Sequence, residues 1–208
     1  MSLLLRQLVG LILAVTLSAA DASNNFVPIE LPRGVRIELP ANWTALSDSK
    51  RTTLAAATQA QVERLNAKEP EVETPFAASL YDDAGLVTAS MNIRYYPALT
   101  ISQSDASQST TQDLIELDQG LQKTVIPGAE AYGQRVLAWR GTKKTSINGV
   151  IAFVSEYRVS APKGGPFVVD LVRVYNLKRS FTLILSYREN NALLEAIIGR
   201  VIRTLQVK

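Results

Sequence analysis

The stretch from 150 to 187 constrains this chain most, because it has the composition of three consecutive strands separated only by short turns. The segments 150–160, 167–177 and 180–188 are rich in Val, Ile, Phe, Tyr and Leu, the residues that suit a pleated surface. Lys163-Gly164-Gly165 supplies a reversal between the first two, and Lys178-Arg179 reads as a two-residue connection between the last two. Closing both as symmetric hairpins sets Tyr157 opposite Asp170, and Asp170 opposite Tyr187. One face then carries Phe153, Tyr157, Val159, Val168, Val172, Val174, Leu183 and Leu185. The other carries Ala152, Val154, Val169, Leu171 and Ile184, with Glu156, Arg158, Arg173, Ser186 and Arg188 among them. A sheet with one wet face alternates cleanly between apolar and polar residues. This one is apolar on both faces, so helices must cover both.

The N-terminus has the three parts of a secretory signal peptide. Arg6 is a basic start, residues 8–17 are an apolar run, and small residues follow at Ser18-Ala19-Ala20 and Ala20-Asp21-Ala22. The run falls short of the roughly 20 apolar residues of a spanning helix, which favours cleavage, after Ala20 or Ala22, over an anchor. No later segment is long and apolar enough to span a membrane. The expected organisation is a signal peptide over 1–22, a flexible lead-in over 23–34 and a single domain over 35–208. A bacterial periplasm is the expected location, with secretion as the alternative.

The chain has no Cys and no His. That removes the Ser-His-Asp triad, the Cys-His pair and every thiolate or imidazole metal ligand. It leaves carboxylate-oxygen sites and Asp, Glu, Lys, Ser or Tyr chemistry; neither a cofactor nor a metal is expected. A net charge of +3 with interspersed signs gives no concentrated basic stripe, so no nucleic-acid partner is expected.

Residues 34–39 alternate like a half-buried strand stopped by Pro40, and Trp43 is expected to pack on one edge of the core. Ser47-Asp48-Ser49 is a helix start signal for a helix over 52–67, followed by an acidic, proline-containing linker. Segments 75–81 and 86–95 read as a hairpin about Asp82-Asp83-Ala84-Gly85, where turn chemistry accounts for the aspartates better than a cation site does. Residues 100–110 are a loop or the start of a helix. Leu114, Leu117, Leu121 and Val125 mark an amphipathic helix over 112–125, with Asp113, Glu116, Asp118 and Lys123 outside and Pro127-Gly128 ending it. A strand over 134–145 leads through Asn148-Gly149, the strongest short hairpin signal, into the central stretch. Leu194, Ile197, Ile198, Val201 and Leu205 form the stripe of a last helix capped by Asn190 or Asn191, with Glu195, Arg200 and Arg203 facing out.

This order of elements resembles the PsbP-like fold group, which includes the Ran-binding Mog proteins and exported DcrB-like proteins. The local likeness lies in Ile37-Glu38-Leu39-Pro40-Ala41-Asn42-Trp43, a strand–Pro–Trp opening, and in Phe181-Thr182-Leu183-Ile184-Leu185-Ser186-Tyr187, which runs into the terminal helix. The resemblance implies an α+β fold: a central antiparallel β-sheet with helices on both faces, an α/β/α sandwich. It also implies a binding or assembly factor, and it brings no catalytic residues.

Three functions are therefore open. The first is an exported, non-enzymatic binding or accessory protein, whose partner is a protein or small anionic ligand of the cell envelope. The second is a hydrolase-type enzyme using carboxylate or Ser/Lys chemistry. The third is a carrier of a small apolar ligand. Two sets of residues are candidates for a site. Arg158, Arg173 and Arg188, with Glu156 among them, would form an anion-binding patch, since guanidinium matches carboxylate and phosphate geometry. Asp170 would be an acid on the apolar face, held by a raised pKa or by bonds from Tyr157 and Tyr187. Export is checked by N-terminal sequencing of the native protein: a mature end at Asp21 or Ser23 is expected, and an intact Met1 or Ser2 end in the membrane fraction would identify an anchor.

Overall fold

The computed structural model describes residues 25–52, 73–96 and 101–208. The expected signal peptide, the body of the helix over 52–67 and the linker after it lie outside these residues. Among these residues, ten strands run in chain order: β1 (Phe26–Leu31), β2 (Val35–Pro40), β3 (Thr44–Ala45), β4 (Glu73–Tyr81), β5 (Val87–Tyr95), β6 (Val136–Ile147), β7 (Val150–Val159), β8 (Phe167–Val174), β9 (Phe181–Arg188) and β10 (Gln206–Val207). The helices that position the site are α1 (Gln103–Gln108), α2 (Thr111–Ala131) and α3 (Ala192–Arg203). Strands β3-β4-β5-β9-β8-β7-β6 form a seven-stranded sheet in that order, and β1-β2-β10 form a small second sheet. Every pairing is antiparallel. The expected α+β class and central antiparallel sheet are both present.

Residues directly opposite in an antiparallel ladder share a face. On one face of the large sheet β7, β8, β9 and β5 form continuous rows: Val154–Val172–Leu183–Ile93 and, toward one end, Arg158–Val168–Tyr187–Ala89. This face packs against Leu194, Ile197, Ile198 and Val201 of α3 and Val35, Ile37 and Leu39 of β2, giving the larger core. The other face packs Val159, Val169 and Leu171 against Leu121 of α2, flanked by Trp139 and Tyr157. The Trp139 and Tyr157 rings stack 5.3 Å apart. Helices thus lie on both faces, as the two apolar faces require. The small sheet is an addition to that scheme, and residues 26–31, expected within a flexible lead-in, are its strand β1.

Two helix expectations change. Pro127 lies inside α2, which runs on to Ala131. The helix ends instead at Gly133 (φ 69°). There the Gly133 N–H bonds the Glu130 carbonyl and the Gln134 N–H bonds the Ala129 carbonyl, both at 2.9 Å, the paired bonds of a Schellman cap. Asp118, expected on the solvent side of α2, accepts from Trp139 Nε1 (2.8 Å) and Thr142 Oγ1 (2.7 Å) and so ties the helix to β6. Residues 103–108, for which the sequence allows loop or helix, form α1, whose Ser102–Asp105 capping box fixes its start.

The register of the central strands also differs. Val159 pairs with Phe167, so Glu156, not Tyr157, lies opposite Asp170. Ser160 leaves the β8 ladder because its N–H and Oγ are both bonded to the Arg135 backbone at 2.8 Å. Pro166 has no N–H to give. The loop between paired strands then holds an odd number of residues, and that turns β7 over relative to β8. Between β8 and β9 the chain makes a 3-10 turn over Leu177–Arg179, stapled by the buried Ser180, rather than a two-residue hairpin. Val174 pairs with Phe181, and Asp170 with Leu185 rather than Tyr187.

The Asn148-Gly149 turn forms as expected, with φ of 49° and 82°. Asn148 Nδ2 also donates to the Arg203 and Leu205 carbonyls, each at 2.8 Å, which links the hairpin tip to the end of α3. Asn148→Gly retains the turn but loses both bonds and is expected to cost about 1–2 kcal/mol. Asn148→Ala also strains the turn and is expected to cost about 1 kcal/mol more. Denaturant midpoints of the two variants test this order.

Candidate functional site

The reversed parity of β7 brings Glu156 and Asp170 side by side on the face that packs against α3. They form the row Glu156–Asp170–Leu185–Met91, where two acids replace apolar residues in that core face. Over this row the surface opens into a cleft of about 620 Å³. Val154, Glu156, Asp170 and Tyr187 form its sheet side, Lys143 of β6 flanks it, and Glu195, Gly199 and Arg203 line it from α3.

Gly199 makes part of this space. A glycine inside a helix costs roughly 0.5–1 kcal/mol relative to alanine, and here the missing side chain leaves room above the acids. A Cβ added there meets only the far end of the flexible Arg203 side chain, at 3.2 Å.

The two acids sit in different electrostatic settings. Glu156 pairs with Arg140 at 2.5 Å. No hydrogen bond or ion pair from the described residues reaches the Asp170 carboxylate. Burial first, and then the negative charge of Glu156, push the Asp170 carboxyl up to about 6, against the opposing pull of Lys143 and Arg140. Burial and the negative charge of Asp170 push the Tyr187 hydroxyl up to about 12. Among the described residues, no group of three or more acids is arranged to hold a metal ion.

The sequence candidates therefore separate. Asp170 is on the core face, but its expected donors are not in place: Tyr157 is on the opposite face, and Tyr187 lies one row further along, opposite Val168. The three arginines do not form one patch. Arg158 is on the cleft face and pairs with Glu189, its Nη2 donating at 2.6 Å. Its buried Nε also lies 2.5 Å from Glu189, at an angle too bent for a hydrogen bond. Arg173 and Arg188 share the opposite face. Arg188 is committed to structure, with its guanidinium 4.3 Å from the Phe167 ring centre and bonded to the Gly165 carbonyl. Lys143, Glu195 and Gly199 were not singled out as site residues in the sequence. Only the mid-helix glycine carried a signal there, as a poor helix former inside an otherwise regular apolar stripe.

No family model and no curated protein matches the chain. Among solved structures, the cyanobacterial PsbP (CyanoP) from Synechocystis sp. PCC 6803 is similar over 88% of this chain and 92% of its own, with 12% identity and a TM-score of 0.56. LpqN, involved in cell envelope biogenesis of Mycobacterium tuberculosis, aligns over 88% of this chain and 90% of its own at 11% identity, with a TM-score of 0.43. A Mog1 variant aligns over 88% and 96% at 13% identity, with the same TM-score of 0.43. The chain has the PsbP-like fold, as the likeness to CyanoP shows.

With no donor to lose, Asp170 has the opposite stability effect from a hydrogen-bonded acid. Its folded pKa lies above the ordinary carboxylate value. The contribution of Asp170 to stability is therefore fully present below about pH 4 and is lost as the pH rises through about 6. Asp170→Asn is expected to match the wild type near pH 4 and to exceed it by about 1–2 kcal/mol at pH 7, a figure reduced for partial solvent screening. Urea unfolding at the two pH values measures this.

Proposed function

We propose that this is an exported, non-enzymatic binding or accessory protein of the bacterial cell envelope, released from residues 1–22 on export, which takes a basic side chain of a protein partner into the α3 cleft. The single observation behind this reading is Asp170. It is an ionisable acid at the base of a cleft, set beside a second acid and paired with no described residue. A group that lowers stability when ionised gains most from a ligand that neutralises it. The volume suits one or two side chains, since small-ligand sites span about 300–1,000 Å³. A Lys or Arg side chain reaching Asp170 would also pass Tyr187, whose ring adds an aromatic face for a cation. No described helix is long and apolar enough to cross a membrane.

A charged base does not suit the third function, a carrier for an apolar molecule. The second, a carboxylate enzyme, has one specific feature in its favour. Glu156 is held by Arg140 while Asp170 is pushed toward neutrality, and such divided environments are how acid and base roles are assigned in a pair.

Two variants test the binding reading with folding controlled. Gly199→Gln fills the cleft with a better helix former, and Asp170→Asn removes the charge. Partners crosslinked to the wild-type mature protein in its own periplasm are expected to fall about tenfold with either variant, at unchanged or higher stability. An unaltered partner set would remove the cleft from recognition. Hydrolytic turnover that peaks near pH 6 and disappears in Asp170→Asn would instead establish the enzyme.

A further inference from the structure

The opposite face of the sheet holds a second, differently charged cluster, which does not depend on the cleft. There the row Phe153–Arg173–Thr182–Arg94 crosses β7, β8, β9 and β5. Arg173 and Arg94 therefore stand on either side of Thr182, with Cα atoms about 10 Å apart, two strand spacings. Both are half-buried, and among the described residues neither has an ion pair or a hydrogen bond from its side chain. Two like charges thus flank one strand with no counter-charge paired to them among the described residues.

The groups between and beside them are polar and incompletely used. Thr182 Oγ1 donates to the Tyr96 hydroxyl at 3.1 Å, and that hydroxyl donates to no described residue. One row along the same face, Asn92 Oδ1 is buried with no hydrogen-bond partner. Both guanidinium groups act on the Tyr157 hydroxyl: burial raises it to about 12, and Arg94 and Arg173 oppose that rise. The arginines thus converge on one region of the face.

We infer that Arg94 and Arg173 form a clamp for a phosphate monoester, held between these two partly exposed arginines, with Thr182 itself buried and the Tyr96 hydroxyl as a further donor. Guanidinium groups bind phosphate oxygens through paired N–H bonds, and two of them supply the two positive charges that a monoester dianion needs. The monoester comes from a soluble metabolite or from the headgroup of a lipid such as phosphatidic acid, and the chemistry of the clamp is the same for both.

Titration calorimetry of the full mature protein with inorganic phosphate tests the clamp directly. Saturable one-to-one binding is expected, weakened at least tenfold in Arg94→Gln and in Arg173→Gln and unchanged in Lys163→Gln on the exposed β7–β8 loop. Should either glutamine variant fail to fold, Arg94→Lys and Arg173→Lys keep the charge while losing the fork, and a several-fold loss is expected. Co-sedimentation with phosphatidylcholine vesicles containing phosphatidic acid separates the sources. Vesicle binding that falls with the same variants assigns the lipid headgroup, and phosphate binding without vesicle binding assigns a soluble monoester. Absence of saturable phosphate binding, or binding that the arginine variants leave intact, overturns the inference.

Discussion

The four-strand ladder of β5, β9, β8 and β7 is the constraint on which the rest of this structure depends. Its rows are largely apolar on both faces, so both need cover, and the elements outside the ladder are placed by that need. α3 and the small sheet close one face, and α2 closes part of the other. The C-terminus shows how strong this requirement is. After α3 the chain returns as β10 to pair with β2, while Thr204 Oγ1 accepts from the Glu38 N–H at 3.0 Å. The second sheet is thereby fastened over the core by the last residues of the chain.

Both candidate sites lie where that apolar order is interrupted. On the α3 face the interruption is a pair of acids, with a helical glycine leaving space above them. On the α2 face it is a pair of arginines flanking a threonine. The two sites are of opposite charge and on opposite sides of one sheet, with Asp170 and Arg173 only three residues apart along β8. Alternation along a strand allows this, because adjacent residues project to opposite faces. Asp170, Arg94 and Arg173 have no ion-pair partner among the described residues, whereas Arg158 with Glu189 and Arg140 with Glu156 are mutually satisfied.

Much of the architecture was legible in the residues. The Asn148-Gly149 turn needs positive φ at two successive positions, which few dipeptides accept, and it formed where the sequence placed it. The stripe from Leu194 to Leu205 has helical spacing, and its members are buried. The dense apolar content of residues 150–187 required a cover on both faces, and both covers are present. These features depend on neighbours within a few residues, so local chemistry determined them.

Site geometry was settled at longer range. Whether Glu156 or Tyr157 meets Asp170 depends on the parity of one loop. That parity depends on Ser160 bonding Arg135, a residue far back in the chain, and on the missing N–H of Pro166. A slip of one residue leaves every strand equally apolar and equally paired, yet it moves Arg158 and Glu156 to the other face. Composition and alternation therefore determined which residues form the sheet and that both sides are covered. Only the tertiary structure decided which charges share a face, because register is fixed by contacts between segments that local pattern does not relate.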